Sequence, residues 1–279
     1  MNVGFIGAGS MGSLLIEAFI MSEALEPEHI YVSNRTYSKA ESLAYQFPGI
    51  TATVSNIDLT LQCDLIFLCI KPLEFASVLH QVRPYLRKDQ LIISITSPVL
   101  LANLAEQVPS QIAKIIPSIT NRMWNSSTLC VFDDNRITEQ SKALLLNLLS
   151  YIGEPIEIEE NFTRIVSDIS SCGPAFFAYF LEQFAIAAEK ETGIPREDAI
   201  RIGSHMLLGT GLLLTEGGLT PADIQKRVAV PGGITAKALN LLAQTSQGMF
   251  NTLIHTTHEK YYEDLDLVKH SFKKEVSES

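Results

Sequence analysis

The first segment of the chain that could do chemistry is a glycine-rich turn, Gly-Ala-Gly-Ser-Met-Gly, near the amino end. It follows an apolar run at residues 3–6 and precedes a helical pattern, and in that context a G-x-G-x-x-G sequence binds a dinucleotide. The first glycine permits the tight turn, the second lets the backbone approach a pyrophosphate, and the third allows close packing of helix on strand. Free N–H groups at the start of the helix would hold the phosphates. The predicted phosphate-binding residues are Gly7, Ala8, Gly9, Ser10, Met11 and Gly12.

The end of the second predicted strand indicates which dinucleotide would bind. Its sequence is Ser-Asn-Arg-Thr, which lacks the acidic residue that would accept the 2′-hydroxyl of the adenosine ribose. Asn34 and Arg35 are suited to a 2′-phosphate instead. We therefore predict NADP as the cofactor, with NAD as the alternative. An Arg35 that serves only as a surface cation is the competing interpretation.

A second candidate site is the Val-Pro-Gly-Gly-Ile-Thr segment that begins at Val230. Its proline and glycines precede a predicted helix, so several N–H groups at the helix start have no partner within the helix. Such a helix start can bind a small carboxylate, and Thr235 adds a hydroxyl in the first turn. An ordinary turn between two helices is the alternative interpretation.

The elements that must position these two segments differ between the halves of the chain. The first half alternates strand and helix patterns, which predicts a mostly parallel, doubly wound sheet of the α/β class. A helix is predicted from the glycine-rich turn to about residue 22, others at 38–47 and about 139–151, and a further one between 70 and 91. The predicted strands are 3–6, 30–33, 51–54, 65–70, 91–94, 114–116, 128–132 and 155–158.

Beyond about residue 159 the strand patterns end and long helical patterns take over. We predict helices at 174–191, 196–216, 234–243 and 247–267, with a short one beginning at Thr220-Pro221. The division is therefore an N-terminal Rossmann domain over 1–159 and an all-helical domain over 160–279. The helix around 176–188 is apolar on nearly every side, which predicts burial all round and hence a second subunit.

Composition narrows the classes of partner. The net charge of -10 disfavours nucleic-acid binding, which needs clustered Lys and Arg. No apolar run reaches the length of a membrane span, and no secretory leader is recognisable, so we predict no membrane association. The four cysteines fit no zinc or redox spacing and indicate a reduced, cytoplasmic protein.

Four segments together resemble one enzyme family. They are the glycine fingerprint, Ile70-Lys71-Pro72, the Cys-Gly-Pro-Ala-Phe sequence that begins at Cys172, and the Pro-Gly-Gly-x-Thr loop. In this order and spacing the chain resembles the pyrroline-5-carboxylate reductase family over nearly its whole length. The resemblance implies a Rossmann domain with a helical dimerisation domain, in a homodimer or larger homo-oligomer. It also implies an oxidoreductase acting on a CH–NH group, which reduces the cyclic imine 1-pyrroline-5-carboxylate to L-proline with NAD(P)H.

The resemblance also implies roles for residues at the matching positions. The N–H groups of Gly233, Ile234 and Thr235 would bind the substrate carboxylate, and the Thr235 hydroxyl would contact the ring nitrogen. Lys71 and Pro72 would lie by the nicotinamide half, and Asn56 by the adenosine ribose. The candidate catalytic residues are Thr235 and Lys71; the further cofactor-binding candidates are Asn34, Arg35, Asn56, Cys69, Lys71 and Pro72; and the substrate-binding candidates are Val230, Pro231, Gly232, Gly233, Ile234, Thr235 and Cys172.

The chain departs from the family pattern near the inferred substrate site. Val230 and Cys172 stand where the family has serine, and Ile116-Pro117-Ser118-Ile119-Thr120 replaces Met-Pro-Asn-Thr-Pro. These features resemble the ComER (late competence operon) branch of the family. That branch implies an alternative function, a catalytically weak or inactive cofactor-binding regulatory protein linked to competence.

Other interpretations are less favoured by the residues. A β-hydroxyacid dehydrogenase needs a lysine in a glycine-rich helix of the second domain, and the helix with Gly203, Gly209 and Gly211 has none. We interpret His255 and His258 as a solvated helix face rather than a metal site. The acidic residues Glu157, Glu159 and Glu160 are interpreted as a solvated edge of the linker.

Overall fold

A computed structural model describes residues 1–277 of the protein, with side chains up to residue 273. The chain forms two compact units, one comprising Met1–Gly173 with the residues from Thr257 onward, the other comprising Pro174–Thr256. The domain boundary between residues 159 and 160, which follows the change from strands to helices, stays a prediction. The last two residues of the predicted helical domain, Glu278 and Ser279, lie outside the described part.

The first unit contains an eight-stranded sheet with strand order β3-β2-β1-β4-β5-β6-β7-β8. Neighbouring strands are parallel except β6 and β7. Only a 3-10 turn, Ile119–Met123, lies between β6 and β7, and so short a connection cannot make a parallel crossover. The predicted mostly parallel, doubly wound α/β sheet is confirmed. The strands are β1 (Val3–Ile6), β2 (Ile30–Ser33), β3 (Thr51–Thr53), β4 (Leu65–Leu68), β5 (Leu91–Ser94), β6 (Gln111–Ile116), β7 (Ser127–Phe132) and β8 (Glu154–Glu157).

Helices cover both faces of this sheet. They are α1 (Ser10–Met21), α2 (Tyr37–Gln46), α3 (Asn56–Gln62), α4 (Phe75–Val82), α5 (Leu101–Gln107), α6 (Glu139–Ser150) and α7 (Thr163–Ser167), followed by a π-helical turn, Asp168–Cys172. The central strands β1, β4 and β5 are buried at every residue, as parallel strands between two helical layers must be. Phe5 and Phe67 stack across β1 and β4 with ring centroids 4.9 Å apart, and Phe19 of α1 packs against Phe67.

The second unit is helical. Its helices are α8 (Gly173–Thr192), α9 (Arg196–Thr215), α10 (Pro221–Val228), α11 (Ile234–Thr245) and the first turns of α12 (Met249–Ser277). Thr220 caps α10 by accepting the N–H of Asp223, whose carboxylate accepts the N–H of Thr220.

In a single chain the helix at 176–188 is not buried on every side, so its predicted all-round burial still depends on a second subunit. Phe177 and Phe184 of α8 are 56% and 72% exposed, and Leu208 of α9 is 62% exposed. A monomer that leaves such apolar side chains on long helices in water presents surface typical of subunit interfaces. Within residues 1–277, no helix combines the length and apolarity needed to cross a membrane.

Candidate functional site

The glycine-rich turn connects β1 to α1 at the carboxyl edge of the sheet. Gly7 has φ 108°, in the left-handed region, and a Cβ there would collide with the carbonyl of Cys69 at the end of β4. A Cβ on Gly12 would collide with the carbonyl of Gly7, which keeps the helix start close to the strand. The first and third glycines are therefore required by the protein's own packing.

The second glycine is different, because a Cβ on Gly9 would meet no protein atom within 4 Å. Gly9 is the N-cap of α1 with an ordinary extended conformation, and no side chain caps the helix. The first turn carries no acidic residue. The turn thus has open space beside Gly9 and free N–H groups at the helix start, and both features fit a pyrophosphate. The residues present fit a dinucleotide.

Asn34 and Arg35 follow β2, as predicted, but their side chains have different surroundings. Asn34 Oδ1 accepts the N–H of Ala8 at 2.9 Å, and its Nδ2 donates to the carbonyl of Thr36 at 2.9 Å. The Arg35 side chain is 86% exposed, and its Nη1 lies 2.8 Å from Oε1 of Glu74. Asn34 therefore holds the glycine turn, and Arg35 carries the exposed charge beside it.

Asn56 is the first residue of α3. Its Oδ1 accepts the hydroxyl of Ser33 at 2.7 Å, and its Nδ2 donates to Gln81 at 2.9 Å. Ser55 begins the helix by accepting the N–H of Asp58 at 3.1 Å. Asn56 thus connects the end of β2 to α4 through side-chain hydrogen bonds.

Cys69, Lys71 and Pro72 follow β4. The N–H of Cys69 donates to the carbonyl of Ile6 at 2.8 Å, which continues the pairing of β1 with β4 beyond the strand end. Burial raises the pKa of the Cys69 thiol well above its ordinary value, so this side chain acts as a small packed group. Lys71 is exposed and precedes the 3-10 turn Pro72–Glu74.

The Pro-Gly-Gly loop lies in the second unit, at the start of α11. Gly232 has φ 73°, and the N–H of Gly233 donates to the carbonyl of Val230 at 3.0 Å, which is the hydrogen bond of a turn with Pro231 at its first corner. No side chain caps α11, and its first turn has no acidic residue. The N–H of Gly233 thus closes the turn, while those of Ile234 and Thr235 lie in the first turn, where no intrahelical acceptor exists.

Cys172 ends the π-helical turn of the first unit. Arg164 donates through Nη2 to Asp168 Oδ1 at 2.7 Å and to Cys172 Sγ at 3.3 Å. Thr257 donates to the other oxygen of Asp168 at 2.7 Å. Asp168 is almost fully buried. Sequence reasoning missed this network, although Arg164 and Asp168 have the i,i+4 spacing of an ion pair on one helix; only Thr257, 89 positions from Asp168, is distant along the chain.

The sequence analysis also did not predict a second buried charge, the ammonium of Lys114. Lys114 of β6 is fully buried, and its Nζ lies 2.5 Å from Oε1 of Glu160. Glu160 also accepts the N–H of Leu101 at 2.8 Å, and burial lowers the pKa of Lys114. The interpretation of Glu160 as a solvated linker edge is therefore wrong, because its carboxylate is the counter-ion of a buried ammonium.

No group of three or more His, Cys, Asp or Glu side chains within the described residues could hold a metal ion. His258 lies 3.8 Å from Asp168, and His255 is on the same helix, α12. The glycine turn in the first unit and the Pro-Gly-Gly loop in the second are the two candidate binding segments.

Comparison with known proteins identifies the family of both units. Residues 160–264 match the model for pyrroline-5-carboxylate reductase dimerisation, and residues 2–98 match one described as NADP oxidoreductase, coenzyme F420-dependent. The chain is 42% identical to ComE operon protein 4 of Bacillus subtilis over 98% of its own length and 99% of that protein. The chain belongs to the pyrroline-5-carboxylate reductase family. It is 27% identical to pyrroline-5-carboxylate reductase 3 of Bacillus subtilis over 93% of this chain and 95% of that protein.

Solved structures agree with this assignment. The 1-pyrroline-5-carboxylate reductase of Streptococcus pyogenes superposes with a TM-score of 0.79 at 26% identity, covering 97% of this chain and 98% of that one. The pyrroline carboxylate reductase of Plasmodium falciparum, solved with NADP bound, superposes with a TM-score of 0.82 at 24% identity, covering 96% and 98%. The fold is thus a Rossmann-like domain followed by a helical dimerisation domain. The chain is an oxidoreductase of this family with a pyridine nucleotide as cofactor, and its dimerisation domain supports homo-oligomerisation.

Proposed function

We propose that the chain reduces the cyclic imine 1-pyrroline-5-carboxylate to L-proline, with NADPH as the preferred hydride donor. The observation that carries the proposal is the open space beside Gly9, at the end of β1 and the uncapped start of α1. In the strand order, β1 lies between β2 and β4, where the direction of winding reverses, and dinucleotides bind at such a switch point. Family membership supplies the substrate class.

The reaction adds a hydride to the imine carbon and a proton to the ring nitrogen. A bound nicotinamide dinucleotide supplies the hydride, so the work of this chain is to bind and orient. The N–H groups of Ile234 and Thr235 at the start of α11 bind the substrate carboxylate, as a helix N-terminus favours an anion. The half-buried Thr235 hydroxyl hydrogen-bonds the ring nitrogen. Lys71 and Pro72 would contact the nicotinamide half of a bound nucleotide, and the family resemblance makes Cys172 a further candidate for substrate contact.

The preference for NADP rests on Arg35. It follows β2, where a 2′-phosphate would lie, and its guanidinium is exposed enough to reorient toward a ligand. Asn34 and Asn56 make hydrogen bonds within the protein on the same side of the sheet, and these bonds hold the shape of the adenosine end. NADH is the weaker donor.

One assay tests the proposal. The purified full-length chain is incubated with NADPH and 1-pyrroline-5-carboxylate while the absorbance of the reduced nicotinamide is followed. We expect turnover, and we expect Thr235→Ala to slow it about tenfold or more while the dissociation constant for NADPH stays unchanged. Thr235→Ser, which keeps the hydroxyl, is the matched control and should keep most of the activity. Calorimetry that detects no binding of either nucleotide would refute the proposal.

A second candidate is a cofactor-binding regulatory protein of the ComER type, with weak or no reductase activity. The comparisons favour this candidate, because the chain is 42% identical to ComE operon protein 4 and only 27% identical to a reductase of the same organism. The loss of a hydroxyl at Val230, whose side chain is 61% exposed at the Pro-Gly-Gly loop, points the same way. Tight NADPH binding without turnover would support this candidate. Val230→Ser and Cys172→Ser in one chain should then raise the activity.

We also propose that the chain forms a homodimer or larger homo-oligomer through α8 and α9. The exposed apolar side chains of these helices support this assembly. Cysteines 63, 69, 130 and 172 are all free thiols, which supports a reduced, cytoplasmic location. Light scattering of the purified chain measures the assembly size.

A further inference from the structure

Beside the adenosine end of the candidate cofactor site, a basic and an acidic side chain pair at the surface. Arg35 follows β2, and Glu74 ends the 3-10 turn after β4. Their atoms Nη1 and Oε1 are 2.8 Å apart, with 86% of the Arg35 side chain and 37% of the Glu74 side chain exposed. Both residues belong to the first unit.

This pairing has a consequence for the choice of nucleotide. A 2′-phosphate carries close to two negative charges and would form charge-assisted hydrogen bonds with a guanidinium. The Glu74 carboxylate already occupies one donor of Arg35 and repels a second anion brought to the same group. A ribose 2′-hydroxyl carries no charge, so the Glu74 carboxylate does not repel it, and it does not need the occupied donor of Arg35. Glu74 therefore opposes the phosphorylated nucleotide selectively.

The other polar groups near the end of β2 do not share this role. Asn34 binds Ala8 and Thr36, and Asn56 binds Ser33 and Gln81. These hydrogen bonds are within the protein and are neutral, so they do not distinguish a phosphate from a hydroxyl by charge. Arg35 and its carboxylate partner differ from these two side chains in being charged, so this pair can discriminate electrostatically.

We propose that Glu74 is a specificity-determining residue that weakens the preference for NADPH over NADH by holding Arg35 in an ion pair. The inference rests on the proposed function, since it assumes that a nicotinamide dinucleotide binds at the glycine turn. It assigns to Glu74 a positioning role, exerted through Arg35.

The test is calorimetric binding of NADPH and NADH to the full-length chain and to Glu74→Gln. We expect the variant to bind NADPH about 3- to 5-fold more tightly and NADH within about 2-fold of the unsubstituted chain, the upper end of the scale of an exposed ion pair. The increase in NADPH affinity should become smaller at high salt, because ions screen exposed charges. Glu157→Gln is the matched control: it removes the same charge from an ion pair with Lys142, on β8 at the far edge of the sheet, and should leave the ratio unchanged.

A double-variant cycle tests the route of action. In an Arg35→Gln background, Glu74→Gln should no longer increase the affinity for NADPH, because the guanidinium that loss of the carboxylate would release is absent. An undiminished gain in that background, or equal changes for both nucleotides, would overturn the inference while leaving the proposed function intact. Failure of the unsubstituted chain to bind either nucleotide would instead overturn the proposed function, and the inference with it.

Discussion

Asn34 accepts the backbone N–H of Ala8 through Oδ1 at 2.9 Å, and this bond joins the end of β2 to the glycine turn that follows β1. Ala8 lies between the first two glycines of the fingerprint, so its N–H has no strand or helix partner of its own. The Nδ2 of Asn34 donates to Thr36, which fixes the side-chain amide in this orientation. Asn34 therefore shapes the turn for any dinucleotide, whether or not it bears a 2′-phosphate.

Replacing Asn34 with alanine should weaken NADPH and NADH binding by similar factors, about 5-fold each. The reason is that one hydrogen bond of about 1 kcal/mol to a half-buried N–H is lost from the turn. Calorimetry of both nucleotides measures the two factors. Asn34→Asp keeps an acceptor for the N–H of Ala8 but adds a negative charge, so it should weaken the binding of NADPH more than the binding of NADH. A loss confined to NADPH in Asn34→Ala would contradict this role and favour direct contact with the phosphate.

Alanine substitutions at Gly9 and Gly12 should separate ligand binding from stability. The methyl group of Gly9→Ala meets no protein atom, so this variant should change the free energy of unfolding by less than about 1 kcal/mol. It should nevertheless weaken the binding of both nucleotides at least tenfold, because the methyl group occupies the space of the pyrophosphate. Gly12→Ala collides with the carbonyl of Gly7 and should destabilise the fold by about 1–3 kcal/mol. Urea denaturation and calorimetry measure the two effects. Equal destabilisation by both variants would show that the space beside Gly9 is already filled.

Several inner strands of the sheet could be predicted from sequence because each is a short, mostly apolar run with a clear beginning and end. The predicted bounds of Val3–Ile6, Ile30–Ser33 and Leu91–Ser94 match the structure residue for residue. The glycine fingerprint was placed between β1 and α1 for the same reason, since strand and helix patterns flank it directly. The helices α3 and α5 were not predicted. Each has seven residues, too few for helical periodicity to stand out.

The contacts of the candidate site could not be predicted, because they join residues far apart in sequence. Arg35 and Glu74 are separated by 39 positions, and Lys114 and Glu160 by 46. A single sequence contains no signal that pairs such residues. The exposed side chains of α8 have a related explanation: an apolar sequence indicates that a surface is covered, but not whether the same chain covers it.

The buried pair of Lys114 and Glu160 should contribute strongly to stability. Glu160→Ala leaves a buried ammonium without a counter-ion and should lower the free energy of unfolding by about 3–5 kcal/mol. The double variant Lys114→Met with Glu160→Leu should lose less, because it leaves no buried charge. Urea denaturation at one fixed protein concentration measures these differences.

Glu157→Ala is the control for that experiment. It breaks a more exposed pair with Lys142 in the same unit and should cost less than about 1 kcal/mol. A Glu160→Ala variant within that same limit would mean that Lys114 is neutral or solvated, contrary to the contacts observed.

The buried thiol of Cys63 should make stability fall with pH in alkaline solution. Burial raises its pKa to about 12, with a smaller contribution from Asp64, so the folded chain keeps the proton where the unfolded chain has lost it. The stabilisation is complete below the unfolded pKa of about 8.5 and is lost as pH rises through that value toward the folded pKa. In this window the contribution of Cys63 falls by up to about 1.4 kcal/mol per pH unit. Urea denaturation of the unsubstituted chain and of Cys63→Ala at about pH 7, 9 and 10 measures it. The difference in the free energy of unfolding between the two chains should be constant near neutral pH and become smaller at pH 9 and 10. A difference that stays constant at all three pH values would show that the thiol ionises freely in the folded protein.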